Sequence, residues 1–320
     1  MIARRTLLPA LLAAPALASA QPAWPTRPVR VINPYSPGGT TDVVMRLMGE
    51  RLERAFGQPF PIESRPGAGG AVGTGAAALA TDGHTLLITN TGPLAVAPAM
   101  IPNLTYDPAR SFTYVTMFGG APIVIAVRAD SRLNTVQDLI AAARARPESI
   151  SYGNSGNGSM GHLAGLVFER ATGTRLLHVS FRGAPEAQAA VLSGETVAIF
   201  DTVGAHAGAL RQGTLKALAF TSSERVPLFP AVPTLREAGL ESAVVTNWFL
   251  LAAPAGFPAG IAARINEACQ AAMREAAVAE RMALLGLVSM GNPSGADILA
   301  FVQAEGARWA PIIRAAGITG

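Results

Sequence analysis

Apolar runs of strand length alternate with amphipathic segments along most of this chain. The runs at 28–32, 84–89, 150–152 and 197–200 are short, and the first is rich in β-branched residues, as expected of a buried strand. The segments between them carry apolar residues three and four positions apart, which is the spacing of one helical face. This alternation predicts an α/β fold, in which helices cover largely parallel sheets.

Two apolar stretches, 112–129 and 244–251, are longer than the other strand-like runs. A compact α/β series lies between them, and the helical segments 261–287 and 296–316 follow. We therefore expect two lobes, each a mixed, mostly parallel sheet flanked by helices, with two crossover strands joining them. The expected boundaries are residues 21–121 plus 251–320 for lobe 1 and residues 122–250 for lobe 2.

The first 20 residues form a predicted targeting segment rather than part of the fold. Arg4 and Arg5 precede an apolar run that ends at Leu17, and small residues then offer a cleavage site after Ala20. The run is shorter than the roughly 20 residues that a membrane span needs. The two arginines also resemble a twin-arginine export signal. Export into a bacterial periplasm, by the general secretory or the twin-arginine route, is the prediction.

The composition argues against several classes of protein. Removal of Arg4 and Arg5 with the signal lowers the formal charge from +4 to +2, and no basic run with interleaved aromatic residues suggests nucleic-acid binding. The single cysteine, Cys269, excludes an internal disulfide. The histidines lack metal-ligand spacing; they are His84, His162, His178 and His206. We expect no metal, no cofactor and no membrane span after the signal.

The stretch from Asn33 to Asp42 joins the first apolar run to an amphipathic helix. Gly38 and Gly39 can adopt the positive φ that such a turn requires, and threonines follow at the expected helix start. The first turn of a helix has unpaired N–H groups, which suit a carboxylate or a phosphate. The turn is therefore a candidate anion seat, and the alternative is a capped connection without a ligand.

The stretch from Ile150 to His162 repeats this order of strand, glycine-rich polar turn and helix. Two such turns, one in each lobe, are expected to face each other across a cleft. Polar residues also follow the strand-like runs that end at Thr89 and Phe200, and in open α/β sheets ligands collect at such strand ends.

A nucleotide site is one alternative for the second turn. Gly156, Gly158 and Gly161 fit the G-x-G-x-x-G pattern, and Arg182 after the next strand would suit a 2′-phosphate. The pattern is weak alone and lies deep in the chain.

A serine hydrolase is another alternative, because Ser155 and Ser159 lie close to His162. Neither serine completes G-x-S-x-G, since Asn157 occupies a glycine position of the motif in both cases. Backbone N–H groups with serine hydroxyls would bind an anion without transforming it.

Several motifs together resemble the solute receptors of tripartite tricarboxylate transporters, the Bug-type proteins. The resemblance covers essentially all of the chain after the signal. The motifs are P-Y-S-P-G-G-T-T-D at 34–42, E-S-R-P-G-A-G-G at 63–70, D-G-H-T-L-L at 82–87, Y-G-N-S-G-N-G-S at 152–159, H-V-S-F-R-G at 178–183, V-P-T-L-R-E-A-G at 232–239, and Trp248 before A-P-A-G at 253–256.

The resemblance implies a two-lobed periplasmic-binding-protein fold, similar to type II, that closes on a small carboxylate. The ligand would pass to membrane permease subunits, and we expect a monomer with no catalytic residue. The turns of both lobes would hold the carboxylates through main-chain N–H groups, hydroxyls and waters. The candidate ligand-binding residues are Tyr35, Ser36, Pro37, Gly38, Gly39, Thr40, Thr41, Asp42, Asn90, Thr91, Ser155, Gly156, Asn157, Gly158, Ser159, His162, Arg182, Asp201 and Thr202.

The sequence departs from the family pattern at three places. Asn33 stands where valine is usual, Tyr35 where phenylalanine is usual, and Phe-Arg-Gly at 181–183 replaces Tyr-Lys-Gly. Tyr35 and Arg182 are therefore candidates for ligand contact, with a solvated surface charge as the alternative for Arg182. Asp42 either stabilises a helix N-terminus or meets an ammonium group of the ligand. A secreted enzyme, and a receptor that signals to a membrane sensor kinase, are the other functions considered.

Overall fold

The computed structural model describes residues 24–317. The predicted targeting segment, residues 1–20, lies outside them. No helix within the described residues is both long and apolar enough to cross a membrane.

Nine strands occur in the described part of the chain. They are β1 Arg30–Asn33, β2 Ile62–Ser64, β3 Thr85–Asn90, β4 Phe112–Arg128, β5 Ser151–Asn154, β6 Leu177–Ser180, β7 Ala198–Thr202, β8 Leu215–Phe220 and β9 Thr246–Pro254.

The α-helices follow the strands in regular alternation through most of the chain. They are α1 Thr40–Phe56, α2 Ala71–Ala78, α3 Ala97–Met100, α4 Val136–Ala145, α5 Met160–Thr172, α6 Ala184–Ser193, α7 Val203–Arg211, α8 Ala259–Met273, α9 Ala276–Leu284 and α10 Gly295–Ala315. Capping boxes begin two of them: Thr135 with Asp138 starts α4, and Ser294 with Asp297 starts α10.

The strands form one continuous sheet in the order β2-β1-β3-β9-β4-β7-β5-β6, and β8 also pairs with β4. The outer pairs are parallel: β1 pairs with β2 and with β3, and β5 pairs with β6 and with β7. The pairs that involve β4 or β9 are antiparallel. The parallel series therefore lie on either side of two long antiparallel strands, and the predicted two-lobed α/β fold is confirmed.

Strand β4 runs without interruption through both halves of the sheet. Its first part, up to Pro122, pairs with β9, and its last part, from Ile123, pairs with β7 and β8. The register of the β4–β9 pair shifts twice, once on either side of Met117. Gly119, at the second shift, has a φ of 125°, which favours glycine. The apolar runs that the sequence places on both sides of Gly119 are thus one bent crossover strand.

Two hydrophobic clusters pack on opposite faces of this sheet. Trp248, Leu250 and Ala252 of β9 belong to one cluster, while Phe249 and Leu251 belong to the other. This division follows from the strand period of two residues, and it explains why both crossover strands are almost entirely apolar.

The C-terminal helical stretch predicted over 261–287 is two helices, α8 and α9. The sequence contains neither glycine nor proline at the break, which lies at Arg274 and Glu275. The Glu275 carboxylate accepts a hydrogen bond from Arg51 of α1 at 3.2 Å. Arg51, which is distant in sequence, thus contacts the break. The helical period of the apolar residues does not predict such a contact.

Gly161 sets how closely α5 approaches β7. A Cβ at this position would lie 2.1 Å from the carbonyl oxygen of Phe200. We predict that Gly161→Ala lowers the free energy of unfolding by about 1–3 kcal/mol, because backbone must move to relieve the overlap. Urea denaturation measures the change.

Gly208→Ala is the matched control, since a Cβ at Gly208 in α7 would meet nothing within 4 Å. It should leave stability unchanged or raise it, because alanine is the better helix former. Equal stability of Gly161→Ala and the wild type would contradict the prediction.

Candidate functional site

A small cavity of about 30 Å³ lies between the two halves of the molecule, beside strand β9. Its walls come from both parallel series and from the crossover strand. The lining residues are Tyr35, Gly39, Thr40, Thr41, Asn90, Ser155, Ser159, Met160, Ala184, Asp201, Thr202, Ala205, Asn247 and Phe249.

Four helices begin at this cavity: α1, α5, α6 and α7. Only α5 among them has a side-chain cap, in which Ser159 accepts a hydrogen bond from the His162 N–H. The other three have no side-chain cap. Helix N-termini present unpaired N–H groups and a partial positive charge, so their convergence favours an anion in the cavity.

An asparagine ends each of three strands that lead to the site. Asn33, Asn90 and Asn154 each accept, through Oδ1, the N–H of the residue two positions on, at distances of 3.0–3.3 Å. This local bond turns the chain sharply after the strand. Asn33 Oδ1 also accepts the Thr41 hydroxyl at 2.8 Å, which ties the start of α1 to the end of β1. The departure from valine at Asn33 therefore has a structural role.

Among the described residues, no lysine or arginine lines this cavity, and the one carboxylate in its lining belongs to Asp201. Asp201 is buried, and both of its carboxylate oxygens accept hydrogen bonds: Oδ1 accepts the Thr202 N–H at 2.7 Å and Oδ2 accepts the Ser155 hydroxyl. His206, fully buried behind it, places Nε2 3.7 Å from Oδ2. Asp201 therefore holds the Ser155 turn against β7, and the donors left for an anion come from main chain and hydroxyls.

Two polar atoms in the cavity wall have no hydrogen-bond partner among the described residues. They are Thr40 Oγ1 and Asn247 Oδ1, both buried. A buried polar group without a partner costs free energy, so such atoms indicate a place for a ligand or water. The Tyr35 hydroxyl, by contrast, lies within hydrogen-bonding distance of Gly69 O and Asn90 Oδ1, and burial raises its pKa well above the ordinary value.

The first turn contributes Tyr35 and Gly39 to Thr41 to the cavity wall, while its other candidates lie outside. Pro37 and Gly38 are exposed. The Ser36 hydroxyl donates to Glu186 Oε1 at 2.8 Å. Asp42 Oδ2 accepts the Gly38 N–H at 3.0 Å and Arg46 Nε at 2.9 Å. Asp42 thus closes the turn and pairs within α1.

Most backbone N–H groups of the second turn already donate hydrogen bonds to protein acceptors. The sequence does not reveal these bonds. Gly156 N donates to Asn154, Asn157 N donates to the Ser180 hydroxyl at 2.9 Å, and Gly158 N donates to His162 Nδ1 at 3.1 Å. The glycines here permit close approach between lobes: a Cβ at Gly158 would lie 2.7 Å from Met100 Cε. This turn reaches the cavity through Ser155 and Ser159 rather than through its glycines.

Three further candidates lie near the cavity without lining it. The Thr91 hydroxyl accepts the Trp248 N–H at 3.1 Å and so supports the crossover strand. His162 lies beneath the second turn, where its ring stacks on His178 at 3.9 Å between centroids. Arg182 lines a neighbouring cavity that also includes Gly156 and Asn157.

The sequence did not indicate five residues of the cavity wall: Met160, Ala184, Ala205, Asn247 and Phe249. Met160, Ala184 and Ala205 lie in the first turns of α5, α6 and α7, so the predicted helix starts were a signal that could have included them. Strand alternation identifies Asn247 and Phe249 as cavity-lining residues only when the crossover strand is already known to pass the cleft.

Within residues 24–317, no hydrogen bond joins a serine hydroxyl to a histidine ring. No hydrogen bond within the described residues joins the His162 ring to Ser155 or Ser159. Gly161, the last glycine of the nucleotide-like pattern, packs on β7 instead of facing a ligand. No group of three or more histidine, cysteine, aspartate or glutamate residues in residues 24–317 is placed to hold a metal ion.

Comparison with known proteins finds a consistent set of relatives. The model of the tripartite tricarboxylate transporter family receptor matches residues 44–318. Protein BugT of Bordetella pertussis is 34% identical over 92% of this chain and 90% of its own. The solved structure of periplasmic binding protein BugD is 30% identical, with a TM-score of 0.87 over 92% of this chain and 99% of its own. MatC from Rhodopseudomonas palustris, solved with bound malate, is 32% identical, with a TM-score of 0.85 over 91% of this chain and all of its own.

The stacked histidines make stability depend on pH. Burial lowers the pKa of His162 from 6.5 to about 3 and that of His178 from 6.5 to about 4. Both rings are neutral when folded, so below pH 6.5 the unfolded chain binds more protons. We predict that the free energy of unfolding falls by roughly 1–3 kcal/mol per buried ring between about pH 6.5 and about pH 4.5.

Urea denaturation across this pH range measures the loss. The His178→Gln variant should show a shallower decline than the wild type, because one depressed pKa is removed. Parallel declines in the two proteins would contradict this assignment.

Proposed function

Because this chain belongs to the tripartite tricarboxylate transporter receptor family, we propose that it is a periplasmic receptor for a small carboxylate. The receptor captures the acid between its two lobes and delivers it to the membrane permease subunits of such a transporter. The convergence of four helix N-termini on one buried cavity carries this proposal. The bound malate of the related MatC supports the ligand class.

The energetics require several donors at once. One helix N-terminus contributes about 0.3–1 kcal/mol to holding an anion, and up to about 2 kcal/mol in a partly buried geometry. Micromolar binding needs about 8 kcal/mol, so neither lobe suffices alone. Charge-assisted hydrogen bonds from both sides, in a site closed to water, supply the remainder. Affinity therefore depends on closure.

The lobe boundaries at 121/122 and 250/251 belong to the same proposal. Support comes from β4, which changes its pairing partners at Pro122 and Ile123, and from β9, which pairs with β3 as far as Phe249. Contacts across these boundaries close the cleft, including the 2.8 Å hydrogen bond from Ser36 to Glu186. We propose that the receptor carries out no chemistry, because the family that its sequence matches is one of transporter receptors.

Substitution of Thr40, whose hydroxyl is buried, tests whether the ligand binds in this cavity. We predict that malate, adipate or citrate stabilises the wild type in a thermal-shift screen. We further predict that Thr40→Val weakens the best of these ligands by about 10- to 100-fold in isothermal titration calorimetry, since a hydrogen bond to charge is lost. Stability without ligand should not fall, because this hydroxyl has no hydrogen-bond partner within residues 24–317.

Thr89→Val is the matched control. Thr89 is also buried with an unpartnered hydroxyl, yet it lies in β3 and does not line the cavity. It should bind the ligand as the wild type does. An equal loss of ligand affinity in both variants, or no loss in Thr40→Val, would contradict ligand binding at this cavity.

A substitution at Gly183 tests whether ligand binding requires the two lobes to close. Its φ of 179° is accessible to any residue, but an added Cβ would lie 2.8 Å from the Ser36 Cβ across the cleft. We predict that Gly183→Val lowers ligand affinity at least about tenfold, because the new side chain separates the lobes and removes the donors of one of them. Calorimetry measures the affinity.

Gly208→Val, in the open surroundings of α7, should retain wild-type affinity. Unfolding without ligand should show that Gly183→Val remains folded. Wild-type affinity in a folded Gly183→Val protein would contradict the closure requirement.

A further inference from the structure

The second turn, residues 155–159, lies against the backbone of the opposite lobe. An added Cβ at Gly69 would overlap the Asn157 carbonyl oxygen, so the two chain segments meet without an intervening side chain. The first and last residues of the turn, Ser155 and Ser159, also line the candidate ligand cavity. The position of this turn therefore determines both how closely the lobes meet and where these two hydroxyls lie.

His162, the third residue of α5, holds this turn at two points. The Gly158 N–H donates to His162 Nδ1 at 3.1 Å, and the His162 N–H donates to Ser159 Oγ at 3.4 Å. The ring and the backbone of one residue thus bond to consecutive residues of the turn. Because α5 carries both bonds, His162 fixes the height of the turn above this helix.

His178 in turn holds the plane of the His162 ring. The two rings are stacked, with their centroids 3.9 Å apart and an angle of 9° between their planes. His178 Nε2 lies 3.2 Å from Asn154 Oδ1, which also accepts the Gly156 N–H and the Ser159 hydroxyl. The histidine pair is therefore tied to the strand end that leads into the turn.

The bond from Gly158 requires one protonation state of the His162 ring. A backbone N–H can only donate, so Nδ1 offers its lone pair and the ring hydrogen lies on Nε2. Burial lowers the pKa of His162 to about 3, which keeps the ring neutral and Nδ1 an acceptor. The same atom would be a donor in a protonated ring and could not hold the turn.

We infer that His162 is a positioning residue for ligand binding: its Nδ1 holds the second turn where Ser155 and Ser159 reach the ligand. His162 acts without lining the cavity itself. This inference rests on the proposed carboxylate-receptor function and adds a residue that acts on the same site from behind. Affinity then depends on an acceptor atom at the place of Nδ1 rather than on the imidazole ring.

Two substitutions of His162 separate the acceptor atom from the ring. His162→Asn can place its amide oxygen close to the position of Nδ1, because both atoms are bonded to Cγ. His162→Gln carries its amide oxygen one bond further out and leaves the Gly158 N–H without this acceptor. Both variants lose the stacking on His178, so they are matched in that respect.

Calorimetry with malate, adipate and citrate measures the effect on binding. His162→Gln should weaken the acid that the wild type binds best by about 3- to 10-fold, the size expected for one lost neutral hydrogen bond. His162→Asn should bind that acid as the wild type does. Stability without ligand should not follow this order, since glutamine is the better helix former of the two.

Two measurements on the protein without ligand report the turn itself. Amide hydrogen exchange at Gly158 should be slow in the wild type and in His162→Asn, and faster in His162→Gln. The imidazole ¹⁵N spectrum of the wild type should show a neutral His162 ring with its hydrogen on Nε2. This second measurement requires no variant.

The inference is overturned if His162→Gln binds as the wild type does, or if the two variants lose equal affinity. It is also overturned if the ring hydrogen of His162 lies on Nδ1 in the wild type. Failure of all three acids to bind the wild type would instead refute the proposed function, because the exchange and ¹⁵N measurements do not involve a ligand.

Discussion

The proposed function depends on holding a carboxylate in a cavity whose lining, within residues 24–317, contains no cationic side chain. In this proposal the carboxylate is held by backbone N–H groups at the N-termini of four helices, which begin at one cavity because strands from both lobes end around it. The Asp201 carboxylate in the cavity wall already accepts hydrogen bonds from the Ser155 hydroxyl and the Thr202 N–H. The selectivity of such a seat is for carboxylate in general, and the shape of the adjoining space decides which acid fits.

The crossover strands make this arrangement possible and also adjustable. Strand β4 belongs to both lobes, and its bend near Gly119 lies at the level of the cleft. On β9, alternate residues serve different purposes: Asn247 and Phe249 line the cavity, while Trp248 packs in a core cluster and donates its indole N–H to Glu305 at 3.1 Å. Strand β9 thus connects the cavity with the helices behind it.

The sequence predicts much of the fold, because strand and helix periods are local properties. The first turn, with Thr40 and Thr41 at a helix start, was recognisable for the same reason. The second turn was harder to interpret: His162 and Ser180 take up the N–H groups of Gly158 and Asn157, and these bonds depend on tertiary packing. The places of Asn247 and Phe249 in the cavity wall were likewise hidden, since a strand pattern does not reveal which residues pass a cleft. The lobe boundaries and the ligand-binding residues remain predictions.

A crystal structure of the protein with a bound dicarboxylate tests the central claim most directly. The account predicts one carboxylate between the lobes, with its oxygens within hydrogen-bonding distance of main-chain N–H groups in the first turns of α1 and of at least one helix of the opposite lobe. A ligand bound away from this cavity, or one held by the helix N-terminus of a single lobe, would contradict it.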